Sequence, residues 1–67
     1  MTIDQAVGMN IKQQRRQRQW RQSDLAARIG YTTSAIHHFE SGQRRVSIDT
    51  LYQIAAALNI RPQELLP

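Results

Sequence analysis

Five side chains between Thr33 and Ser41 are of types that could do chemistry together. Placed at about 100° per residue, Thr33, Ser34, His37, His38 and Ser41 share one arc of a helix, with Ala35, Ile36 and Phe39 opposite. Hydroxyl and imidazole groups both donate and accept hydrogen bonds. Such a face can bond the edges of nucleobases, and a Thr methyl can meet that of thymine. A merely solvated helix face usually carries Lys and Glu, and this arc carries neither. Just beyond it, Gln43, Arg44 and Arg45 form a basic loop placed for phosphate contact. Metal binding is not expected. His37 and His38 are adjacent and diverge by about 100°, and no third His and no Cys exist to complete a site. Catalysis is not expected either, because Ser23 and Asp24 point to different sides of a short helix and cannot form a triad with the His pair. No Gly-rich loop cradles a phosphate. The reading is a binding module that is not an enzyme and has no cofactor.

These side chains need elements to hold them. Gln22, Leu25, Ala26 and Ile29 recur at i, i+3, i+4 and i+7, which predicts a helix over about 22 to 29. Gly30 stands where a left-handed residue closes a helix, and Thr32 can cap the next one, predicted over about 33 to 41 and ended by Gly42. Two short helices crossing steeply after a tight turn make a helix-turn-helix, here over about 22 to 42. Ala26 is small enough for the close approach, and Leu25, Ile29, Ile36 and Phe39 line its inner faces. Upstream, Val7 and Ile11 predict a helix over about 6 to 18, preceded by a frayed start. Trp20 is expected in the core between the first two helices rather than stacking on a base. Downstream, Ser47 caps a helix whose buried stripe is Ile48, Leu51, Ile54, Ala55 and Leu58. Asn59 ends it. Pro62 opens a short last helix holding Gln63 to Leu66.

The chain has 67 residues, nine of them basic and five acidic, for a net charge of +4. So small a domain has a marginal core, and without Cys it must rely on well-packed helices or an oligomer. The positive charge favours a polyanionic partner. No signal peptide or membrane-spanning run is evident, so a cytoplasmic protein with no membrane partner is expected.

On Gln22, Leu25-Ala26, Gly30, Ile36, Phe39-Glu40 and Gly42, followed by the Ser47–Leu58 helix, the chain resembles the helix-turn-helix family of phage lambda-type repressors and Cro proteins, the xenobiotic-response-element group. The resemblance covers about residues 7 to 66. It implies an all-α, five-helix, lambda-repressor-like domain occupying the whole chain, 1–67. By position, it implies that Thr33 and Ser34 read bases, with His37 and His38 one turn later. His38 is expected to make contact, whereas base contact and plain exposure both stay open for His37. Arg21, Gln22, Ser41, Gln43, Arg44 and Arg45 would touch the DNA backbone, with Gln22 also bonding a base-reading neighbour. Arg15 would pair with Glu40 as a partly buried structural ion pair. Three positions depart from the family pattern. Gln14 replaces an apolar residue, Gln19 stands near a usual Gly, and Arg61 replaces a side-chain cap. The short recognition side chains put part of the specificity into DNA shape.

The resulting expectation is a sequence-specific double-stranded DNA-binding transcriptional regulator, a repressor occupying an operator. It would bind as a homodimer on half-sites about 34 Å apart, through a C-terminal contact at Leu65 and Leu66, and without a small-molecule ligand. The alternatives are a DNA-binding antitoxin, which usually needs a further tail for its toxin, and a protein–protein adaptor whose binding would not depend on salt.

Overall fold

The computed structural model describes all residues, Met1–Pro67. Four α-helices follow one another: α1 (Ile3–Gln17), α2 (Gln22–Ile29), α3 (Thr33–Ser41) and α4 (Ile48–Leu58). A single 3-10 turn, Pro62–Leu65, closes the chain. The all-α expectation holds, but the fifth helix is corrected to this turn. Four residues led by a proline cannot build an i→i+4 ladder, and the Leu65 carbonyl is taken at 3.0 Å by Nδ2 of Asn10 in α1. The missing Ser, Thr or Asp cap at Arg61 is replaced from the other side: Oε2 of Glu64 accepts the Arg61 N–H at 2.8 Å.

Helix α1 starts three residues before the expected Ala6. Oγ1 of Thr2 accepts the Gln5 N–H at 3.1 Å, and Oε1 of Gln5 accepts the Thr2 N–H at 2.9 Å. This reciprocal capping box satisfies two of the helix's orphan donors, so the segment read as frayed, residues 1 to 5, is helical from Ile3 onward. The other boundaries follow from their caps. Thr32 Oγ1 accepts the Ala35 N–H at 3.1 Å and Ser47 Oγ accepts that of Thr50 at 3.2 Å. Gly30, Gly42 and Asn59 close their helices with φ of 74°, 79° and 58°. Gln19, where the family pattern has a glycine nearby, also takes a positive φ, 58°.

The core is one cluster drawn from every element: Val7 and Ile11, Leu25 and Ala26, Ala35, Ile36 and Phe39, and Leu51, Ile54, Ala55, Leu58 and Leu65. Two expectations fail here. Leu65 is wholly buried within its own domain, so it cannot reach a second copy; its neighbour Leu66 is exposed. Ile48 keeps its place on the α4 stripe but is 68% exposed, because the chain covers the Thr50 and Leu51 side of that first turn and not the Ile48 side. Trp20 packs against the core from its edge, half-buried, with the Arg28 guanidinium 3.8 Å from its ring centroid. Gln14 and Arg18 serve the frame rather than the core. Arg18 donates to the carbonyls of Gln14 and Leu58, tying the end of α1 to the end of α4. The Tyr31 hydroxyl meets Oγ1 of the buried Thr50 at 2.6 Å, fixing the turn after α2 to α4.

Helices α1 and α3 touch at Gly8. A Cβ there would lie 2.3 Å from the Phe39 carbonyl oxygen and 2.6 Å from that of Glu40. The missing side chain lets the two backbones meet and sets where α3 sits. No helix is long and apolar enough to cross a membrane.

Candidate nucleic-acid interface

The inner face of α3 is nailed to the core, which decides what its outer face can present. Ala35, Ile36, Phe39 and Glu40 are buried. Thr33, Ser34, His37 and Ser41 are exposed and His38 is half-buried, which matches the division of arcs expected from the sequence. Ser41 Oγ bonds the His38 carbonyl at 3.2 Å, and the side chains of Thr33, Ser34, His37 and His38 make no hydrogen bond within the protein. The two imidazole rings lie 5.7 Å apart and tilted. Neither ring is committed to the fold, and both nitrogens of each remain available for hydrogen bonding.

The basic loop is folded back onto the end of α3. The N–H groups of Gln43 and Arg44 both reach the His38 carbonyl, at 3.0 and 3.2 Å. The Arg44 guanidinium stands 5.0 Å from the Phe39 ring centroid at the end of α3, and the residue is exposed. Arg45 leans the other way, with Nε 3.3 Å from Oδ1 of Asp4 at the start of α1. Its side chain is 84% exposed, and water weakens that pair enough for Arg45 to exchange partners.

At the other edge, Arg21 sits in the N-cap position of α2 and is exposed; its N–H is held at 2.7 Å by Oδ2 of Asp24. Gln22 is half-buried, and its Nε2 donates to Oε1 of Glu40 at 3.0 Å. Glu40 in turn receives Arg15 twice, Nε on Oε2 at 2.7 Å and Nη2 on Oε1 at 3.0 Å. The third arm of Arg15, Nη1, donates to the Trp20 carbonyl at 2.6 Å. The Arg15–Glu40 pair is therefore the structural ion pair expected, but buried rather than partly buried, with side chains only 9% and 3% exposed.

Two participants were not legible in advance. The Glu40–Gln22 bond joins residues 18 apart whose types alone carry no signal of contact. Gly8 sat inside a helical pattern, where an unexplained glycine was the available hint. No group of three or more His, Cys, Asp or Glu side chains gathers to hold a metal.

Known proteins supply an independent comparison. Residues 11–65 match the family model for the helix-turn-helix. The chain is 32% identical over 66 residues to an uncharacterized HTH-type transcriptional regulator, y4dJ, of Sinorhizobium fredii, covering 98% of this chain and 86% of that one. Other curated relatives run longer, and the chain spans 42% to 54% of their length. Among solved structures, the restriction-modification controller protein C.AhdI of Aeromonas hydrophila superposes with a TM-score of 0.89 at 32% identity, over 92% of this chain and 94% of that one. The P22 c2 repressor, solved in complex with a synthetic operator, gives 0.85 at 27% identity over 92% and 94%. The order of helices, the α2–turn–α3 geometry and these likenesses agree: the chain belongs to the helix-turn-helix family, of the Cro/C1 type.

Proposed function

We propose that this chain, as one domain over 1–67, is a sequence-specific DNA-binding transcriptional regulator that acts by occupying an operator. One observation carries this reading. The outer face of α3 offers Thr33, Ser34, His37 and His38 with no hydrogen bond committed to the fold, on a helix whose other side is locked into the core. Thr33, Ser34, His37 and His38 read base edges in the major groove. Arg21 and Gln22 before that helix, and Ser41, Gln43, Arg44 and Arg45 after it, grip the phosphates and fix the register. A repressor works by obstruction and needs no reaction centre. The names of the relatives support the same direction: transcriptional regulator, restriction-modification controller protein, and a repressor in complex with a synthetic operator.

The functional unit is a homodimer. The domain measures 27 × 23 × 22 Å, so one copy spans less than the ~34 Å between half-sites one helical turn apart. With Leu65 internal, the contact moves to three of the six large apolar side chains left uncovered: Ile48 and Tyr52, one turn apart on α4, and Leu66.

Selection of binding sites from random duplexes, followed by fluorescence anisotropy over a range of salt, tests this reading. A palindromic consensus is expected, with affinity falling steeply as salt rises. Binding that is flat between low and moderate salt, or no enrichment of any sequence, refutes it.

A further inference from the structure

Resting on that reading, we propose that Glu40 is a positioning residue for DNA contact: its carboxylate, anchored by Arg15, sets the side-chain amide of Gln22 before DNA arrives. Oε1 of Glu40 takes two donors at 3.0 Å each, Nη2 of Arg15 from α1 and Nε2 of Gln22 from the start of α2. A Gln amide has two N–H donors and one acceptor oxygen. Glu40 uses one N–H, and the other N–H and Oε1 make no hydrogen bond within the protein. The same guanidinium that holds Glu40 also holds the Trp20 carbonyl, two residues before Gln22. Main chain and side chain at the head of α2 are thus referred to one buried point on α3.

Stability alone gives little reason for this arrangement. A buried ion pair is often replaceable by well-packed apolar side chains at no loss. An apolar pair, however, offers nothing for Gln22 to bond. A free Gln side chain is among those with the most rotamer freedom to lose on ordering. Ordering it in the unbound protein removes that loss from the binding step, worth about three- to tenfold in affinity.

The test separates this role from folding by comparing two neutral replacements of the ion pair. Arg15→Met with Glu40→Leu removes the acceptor for Gln22. Arg15→Met with Glu40→Gln keeps an oxygen at the same place. Each is made with and without Gln22→Ala, and affinity for the selected duplex is measured alongside thermal melting. The acceptor-free pair is expected to bind about three- to tenfold more weakly than the acceptor-keeping pair. With Gln22→Ala present, the two are expected to bind equally. A purely structural effect would persist unchanged in the Gln22→Ala background and would overturn the assignment. Side-chain ¹⁵N relaxation of Gln22 in the free protein gives a readout without DNA. The amide is expected to be rigid in wild type and in the acceptor-keeping pair, and mobile in the acceptor-free pair; equal mobility in all three overturns the assignment. If wild type binds no duplex, the regulator reading itself fails, an outcome distinct from binding that ignores Glu40.

Discussion

Gly8→Ala should destabilise this protein, although helix propensity alone predicts the opposite. In the middle of a helix, Ala is favoured over Gly by about 1 kcal/mol. Here the added methyl would stand 2.3 Å from the Phe39 oxygen, 2.6 Å from the Glu40 oxygen and 2.8 Å from the Glu40 carbonyl carbon. All three are backbone atoms, so no side chain can swing aside. Restoring ordinary contact requires α1 to recede by about 1 Å, at the upper end of the cost of overpacking, about 3 kcal/mol. The same movement pulls Val7 and Ile11 away from the rest of the core cluster, and stretches the Arg15–Glu40 bond from its 2.7 Å. The net loss is about 2 kcal/mol, which for a domain of this size lowers Tm by roughly 8–16 °C. Far-UV circular dichroism on heating and Trp20 fluorescence in urea both read it. A variant melting at or above the wild-type temperature would refute the claim that α1 and α3 meet at this residue. A drop in Tm with a large change in m-value would instead locate the effect in the denatured state.

Gln19→Gly is the reverse case. The left-handed φ of 58° costs a side chain about 1–2 kcal/mol, and the extra freedom of Gly in the unfolded chain returns about 0.4–1 kcal/mol. A rise in Tm of a few degrees is expected, and a fall would show that Gln19 is not strained. Arg45→Ala should leave stability within about 0.5 kcal/mol, since its pair with Asp4 is exposed. It should lower duplex affinity and reduce the salt slope by about one, as Arg44→Ala should; an unchanged slope removes that residue from the phosphate contacts. Ile48→Glu should leave the melting of the monomer unchanged, because the side chain is already 68% exposed. It should weaken binding to a palindrome but not to a single half-site, and equal losses on both would place the dimer contact elsewhere.

What the sequence made legible was local. Caps at Thr32, Gly30, Gly42, Ser47 and Asn59, and the i, i+3, i+4 stripes of α2 and α3, are written within a few residues of where they act. Ile48 shows the limit of a stripe: periodicity tells which way a residue points, and a neighbouring element decides whether anything covers it. The Leu65–Leu66 pair fails for the same reason, since one step in sequence separates the core from solvent. The links that join distant positions were less accessible. Arg18 on the Leu58 carbonyl and Asn10 on that of Leu65 satisfy backbone groups 40 and 55 residues away, and nothing in local spacing announces such bonds. Arg15 with Glu40 was legible through the family pattern, whereas Gln22 as a third member was not.

The lack of internal bonds along the outer face of α3 bears on how such a protein can change over time. Thr33, Ser34 and His37 are exposed and spend no hydrogen bond on the fold. Substitutions there fall among surface changes, usually within about 0.5 kcal/mol of neutral. If these residues read bases as proposed, mutations that alter the target sequence draw almost nothing from the small stability reserve of a domain this size. On that reading the address can drift while the reader stays folded, and the strict demand of Gly8 lies out of its path.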